Sequence, residues 1–147
     1  MTPLLYRIVR TDSMVITPPA YKTTGASGMD LHAIDGHRLA PGETWLFPLG
    51  FAIELSPGYE AQIRPRSSLS AQGILCHFGT IDADYRGEIM ATLTNVRDWE
   101  NGDDYEVRPG DRIAQLVIAP VELVTLHLAT TLSETERGGG GFGSSGR

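Results

Sequence analysis

The chain has 147 residues, a net charge of -6 and a single cysteine, Cys76. That length predicts one domain with its own core, burying roughly 70% of the unfolded surface, and the lone thiol excludes an internal disulfide framework and fits a reducing, cytoplasmic setting. The acidic balance argues against a nucleic-acid or anionic-membrane binder, which would carry a basic face, and no apolar run approaches the ~20 residues of a membrane helix.

The first 15 residues mix Arg7, Arg10 and Asp12 with apolar residues, so no signal peptide is read there. Turn signals then recur, and several runs alternate apolar and polar residues, the pattern of an all-β sandwich or barrel. Strands are predicted over 5–9, 30–33, 44–49, 51–55 and 59–64, with Phe51, Ile53 and Leu55 sharing one face. Pro41-Gly42, Pro57-Gly58 and Pro109-Gly110 mark turns. One short helix is predicted over 67–72, capped by Ser67 or Ser68 and stopped by Gly73. Residues 74–78 and 86–95 read as two arms about a turn near Gly79. Residues 105–107 and 113–117 read as a late hairpin, and 123–128 as a last strand.

Several stretches carry side chains suited to chemistry. Asp30 follows the flexible loop 23–28, placing an acid that can meet a hydrated Mg²⁺ or merely occupy a turn. Arg64-Pro65-Arg66-Ser67-Ser68-Leu69 joins two cations and two hydroxyls to a helix start, either an anion site or an ordinary capped helix. Gly79-Thr80-Ile81-Asp82-Ala83-Asp84-Tyr85-Arg86-Gly87-Glu88 crowds charge into a connection. It offers a general base beside a phosphate and a ring beside a sugar, or simply a solvated acidic tip. Gln115 puts an amide on an apolar strand, where a backbone partner is the plain reading. Residues 137–147 include six glycines around Phe142, with Arg137 before and Ser144-Ser145 after. Such a tail is a frayed end or a lid that closes on a ligand. His32, His37, His77 and His127 lack zinc-site spacing, and Cys76 has no second thiol nearby.

Five of these blocks occur in an order that resembles the trimeric dUTP diphosphatase (dUTPase) family. They are Ala26-Ser27-Gly28-Met29-Asp30-Leu31, Pro65-Arg66-Ser67-Ser68-Leu69, the 79–88 block, Pro109-Gly110-Asp111-Arg112-Ile113-Ala114-Gln115, and 137–146. The resemblance implies a jelly-roll-like distorted barrel over 1–133, with a flexible glycine-rich lid over 134–147. It implies a homotrimer with shared active sites and Mg²⁺-dependent hydrolysis of dUTP to dUMP and pyrophosphate. In that scheme Asp82 activates water, while Arg66, Ser67, Ser68 and Gln115 hold phosphates. Asp30 meets the metal through water. Tyr85 packs under the deoxyribose, and backbone at Gly79, Thr80, Ile81 and Met90 reads uracil. Phe142 stacks on the base while Arg137, Gly143 and Ser144 close on the phosphates. The sequence departs from the family at Cys76, His77 and Phe78, where many members have smaller residues or Asn; that bears on strict uracil preference. Other readings on the same fold are a dCTP deaminase-like enzyme or another deoxynucleotide triphosphatase, and a non-catalytic nucleotide-binding partner.

Overall fold

The computed structural model describes residues 4–10, 16–98, 100 and 102–141. In chain order the elements are β1 (Leu5–Ile8), β2 (Met29–His32), β3 (His37–Leu39), β4 (Thr44–Pro48), β5 (Phe51–Glu54) and β6 (Tyr59–Arg64). Then come α1 (Ser67–Ser70), β7 (Ile74–Cys76), β8 (Gly79–Ile81), β9 (Met90–Asn95), β10 (Tyr105–Val107) and β11 (Arg112–Pro120). All strand pairing is antiparallel, in four small sheets: β1-β5, β10-β3, β2-β11-β6-β8 and β4-β9-β7. The result is nearly all-β, as the alternation predicts, and jelly-roll-like, as the family resemblance implies.

Alternation sets the core. In β6, Ala61 and Ile63 are buried between the half-buried Glu60, Gln62 and Arg64; in β9, Ala91 and Leu93 are buried between Thr92 and Thr94. These residues join Leu31, Leu39, Phe47, Phe51 and Leu116 in one apolar cluster. Asn95 is the one polar side chain buried with them among the described residues. Its Nδ2 donates to the Leu39 and Asp103 carbonyls at 3.0 and 3.1 Å, and its Oδ1 accepts from the Arg97 N–H. A buried amide satisfied on both ends fastens β9 to β3 and to the 102–104 loop.

Four expectations need correction. The region around Gly79 is a strand, not a turn: Ala61↔Ile81 and Ile63↔Gly79 place it beside β6. Gly79 fits because an added Cβ would stand only 3.3 Å from the Ile63 Cβ. The arm over 86–95 does pair with β7, but only through Leu93–Asn95; its Met90–Thr92 stretch faces β4 alone in the strand register. The late hairpin does not form. Gly110 adopts φ +89°, its N–H donates to the Ala33 carbonyl, and Asp111 accepts from the Ala33 N–H. This turn hands the chain from one sheet to another, so β10 pairs with β3 while β11 pairs with β2 and β6. Residues 123–128 form no strand; Leu123, Leu126 and Leu128 are exposed. Apolar residues with no facing surface in their own chain have nothing to bury against.

The helix is also shorter than expected. Its N-cap is Arg66, in extended backbone, and no side chain caps it. Ser67 and Ser68 lie inside the first turn and are exposed, so neither serves as the cap. Gly73, at φ +76°, follows it.

Candidate functional site

The sequence-predicted residues gather in two places, separated by the β2-β11-β6-β8 sheet. On one face, Asp30, Gln115 and Arg64 stand in one row across β2, β11 and β6. Such directly opposed residues have Cβ atoms roughly 5 Å apart. The Asp30 carboxylate is gripped from both sides: Arg112 Nη1 approaches Oδ2 at 3.1 Å, and Arg66 Nε approaches Oδ1 at 3.5 Å. Arg66 also donates to the Arg112 carbonyl at 2.7 Å. Two cations share one carboxylate, leaving local positive charge suited to an anion. Ser67 and Ser68 follow Arg66 directly.

Gln115 donates to the Pro65 carbonyl at 2.8 Å, the backbone partner that its strand position suggests. Gly28 lies against it, where an added Cβ would stand 2.6 Å from the Gln115 Oε1. His32 also belongs to this edge. Burial pushes its imidazole below the ordinary value, against the opposing pull of Asp30, and its buried Nδ1 lacks a hydrogen-bond partner. Arg112 lies in the 109–115 block but carries no role legible in the sequence, and His32 lies just past the 26–31 block. The signal for Arg112 was its place three residues before Gln115, on the strand that pairs with β2.

The second group lies at the far edge of the same sheet. Ile63, Gly79, Thr80, Ile81, Asp82, Tyr85, Glu88, Ile89 and Met90 line a cavity of about 200 Å³. Its floor is apolar, from Ile63, Ile81 and Ile89. Asp82 is exposed at the end of β8, and its carbonyl accepts the Tyr85 N–H at 3.1 Å, closing a turn. The Tyr85 hydroxyl donates to the Glu88 carbonyl at 3.0 Å. A Cβ on Gly87 would collide with the Tyr85 ring, so only glycine lets the ring lie there.

The three departing residues stay out of this cavity. Cys76 is buried in the core, and burial pushes its thiol up to about 11. The His77 Nε2 pairs with Thr94 Oγ1 at 2.7 Å on the outer face of the β4-β9-β7 sheet. Phe78 is 60% exposed and is absent from the cavity lining.

No residue of the Asp30–Arg66–Gln115 group lines the cavity. Ile63 and Arg64 are successive residues of β6, and successive strand residues point to opposite faces. Among the described residues of the tail, Arg137 joins neither group: it is exposed, and its hydrogen bond goes to the Gly140 carbonyl of its own turn at 2.9 Å. Phe142, Gly143 and Ser144 lie outside the described residues. Among the described residues, no three acidic, His or Cys side chains gather as a metal cage, and no helix is long and apolar enough to cross a membrane.

The sequence model of the dUTPase family matches residues 15–146. A protein of Rhizobium rhizogenes (strain K84 / ATCC BAA-868), named deoxyuridine 5'-triphosphate nucleotidohydrolase, is 52% identical over 136 residues, 87% of this chain and 84% of its own. A protein of the same name from Beijerinckia indica is 46% identical, covering 97% of this chain and 90% of its own. Among solved structures, the dUTPase of Staphylococcus bacteriophage 80alpha with dUpNHpp superposes with TM-score 0.90 at 24% identity, covering both chains entirely (100% each). The D95N mutant dUTPase of phage phi11 of S. aureus, described with a structural Mg(II) ion, gives 0.81 at 22% identity over 88% of this chain and 98% of its own. With the five blocks in order, a matching fold and relatives about half identical over most of their length, the chain belongs to the dUTPase family.

Proposed function

We propose that the chain hydrolyses dUTP to dUMP and pyrophosphate with Mg²⁺, and that Asp82 is the general base. The observation that carries this reading is the placement of Asp82. It is an exposed carboxylate on the rim of a nucleoside-sized cavity, where the other carboxylate of the lining, Glu88, is already engaged by Arg10 and the Gly50 N–H. Water attacks the α-phosphorus and gives its proton to Asp82. The new P–O bond forms as the bond from the α-phosphorus to the α,β-bridging oxygen breaks, and pyrophosphate leaves with that electron pair. Positioned proton transfer of this kind contributes about 10²–10⁴-fold.

The remaining roles follow the two groups. Arg66, Ser67, Ser68 and Gln115 hold the phosphates, with Arg137, Gly143 and Ser144 closing on them and Phe142 stacking on the base. Tyr85 supports the deoxyribose. Backbone at Gly79, Thr80, Ile81 and Met90 reads uracil. The burial of Cys76, the His77–Thr94 bond and the outward Phe78 support a backbone reading of the base. Both Asp30 oxygens already face guanidinium groups, which suits a cation that keeps its waters and arrives with the triphosphate. Bound Mg²⁺ would neutralise charge on the phosphate oxygens.

A homotrimer with shared sites is part of the reading. One chain holds its phosphate group and its cavity on opposite faces of a sheet, so a complete site draws them from different subunits. The exposed leucines of 123–132 supply apolar surface for a neighbour to cover.

The test is a panel of dUTP, dCTP, dTTP and UTP, with pyrophosphate and ammonia release both measured. The expected result is pyrophosphate from dUTP alone, lost by at least about 100-fold in Asp82→Asn with substrate binding kept. Ammonia release from dCTP, or normal turnover by Asp82→Asn, would overturn it.

A further inference from the structure

We propose that Glu88 is a positioning residue for the sugar wall of the cavity, and that Arg10 acts through it. The inference rests on the reading of Tyr85 as the support under the deoxyribose. Tyr85 is held at its hydroxyl by the Glu88 carbonyl, so the place of the ring follows the place of that carbonyl.

Glu88 is in turn held by its side chain. Its carboxylate accepts the Arg10 Nε–H, shared between Oε1 at 2.8 Å and Oε2 at 3.0 Å. Oε1 also accepts the Gly50 N–H at 2.9 Å. A charge-assisted hydrogen bond is about twice as strong as a neutral one, and the backbone donor from Gly50 meets the same carboxylate from a second direction. Gly50 is itself a junction: at φ +78° its carbonyl accepts the N–H groups of Val9 and Arg10. On the other side, Ile89 is locked by its N–H to the Phe51 carbonyl and its carbonyl to the Leu49 N–H.

Residues 82–87 therefore hang between two anchors, β8 at one end and the Glu88 grip at the other. Glu88 is 21% exposed at its side chain and lines the cavity, yet its oxygens are already engaged. That assigns it to holding the wall and leaves proton transfer to Asp82. Gly87 completes the device, because the ring rests where a side chain would stand.

A brace that merely stabilised the fold would lower the melting temperature and leave sugar choice alone. A positioning residue changes the choice of sugar. The experiment measures kcat and KM for dUTP and UTP in the full chain. For Glu88→Ala the ratio of kcat/KM for dUTP over UTP should fall about tenfold, mostly through KM for dUTP, since small displacements of a positioning wall cost that much. Glu88→Gln keeps an acceptor for Gly50 and should recover most of the ratio. Arg10→Gln leaves the Gly50 bond intact and should cost about threefold, within what one charged hydrogen bond contributes.

The decisive arm is a double-mutant cycle. In a Tyr85→Phe background the hydroxyl is gone, so Glu88→Ala should cost no further discrimination. An additive loss there, or a wild-type ratio in folded Glu88→Ala, overturns the inference. If Glu88→Ala does not fold, the Arg10→Gln ratio decides, and a wild-type value overturns it. Tyr85→Ala separates the two readings: if it leaves the ratio unchanged, the sugar-wall assignment itself is wrong. If it abolishes discrimination while Glu88→Ala does not, only the Glu88 role falls.

Discussion

Between two successive residues of β6 the chain passes from core to charge. Ile63 packs under Gly79 and floors the cavity, while Arg64 stands in the row with Gln115 and Asp30 on the other face. The core face is held by shape: apolar side chains, a glycine that fits and one satisfied amide. The polar face is held by charge and by a few directional bonds, Asp30 between Arg66 and Arg112 and Gln115 on Pro65. A change on the polar face should therefore cost activity at little cost in stability, and a change in the core should do the reverse.

The largest expected effect is Gly28→Ala. The new methyl would stand 2.6 Å from the Gln115 Oε1 and drive that amide off the Pro65 carbonyl. We expect kcat/KM to fall about 100-fold, as for other small misplacements of a binding group, with the melting temperature nearly unchanged. A large drop in melting temperature would show that the faces are not independent.

Asn95→Ala probes the core. It leaves the Leu39 and Asp103 carbonyls without their buried donor. The expected cost is about 1–3 kcal/mol, each kcal/mol lowering Tm by about 2–4 °C in a domain of this size. Activity measured well below Tm should hold, and an unchanged melting curve would contradict the role of Asn95.

The smallest effect concerns the rim of the core. The hydrogen bond from His37, 2.7 Å away, and the Ala40 N–H hold the Glu43 carboxyl below its ordinary 4.5. Its folded value is depressed, so its contribution is present above the unfolded value and is lost as pH falls through the folded one. In urea unfolding, wild type should exceed Glu43→Gln slightly at pH 6–7, and the gap should close as pH falls below about 4. A gap of constant size across pH would rule out this linkage.

What the sequence made legible follows the same division. Period-two alternation placed Phe51, Ile53, Leu55, Ala61 and Ile63 in the core, because burial on one face is written residue by residue. It missed the buried Ala52 and put the exposed Tyr59 on the core face. Pairing partners are not written that way. The Pro109-Gly110 turn looks like a hairpin in sequence, but the Ala33 backbone captures it and sends β10 and β11 to different sheets. Residues 123–128 have a strand's composition but no partner in their own chain. The Asp30, Gln115 and Asp82 positions stood out as motif residues. Arg112 and Glu88 lie in the same blocks but drew no role, since their importance lies in side chains that meet across 82 and 78 residues of sequence.

The central claim is that one chain keeps its phosphate group and its nucleoside cavity apart, so that a working site takes one from each of two subunits. Mixing Asp82→Asn with Arg66→Ala, each nearly inactive alone, tests it after co-refolding at equal amounts. If sites are shared, random trimers regain about a quarter of wild-type activity, because that fraction of sites pairs an intact cavity with an intact phosphate group. Activity no higher than that of the separate variants, in trimers shown to be mixed, would contradict the account.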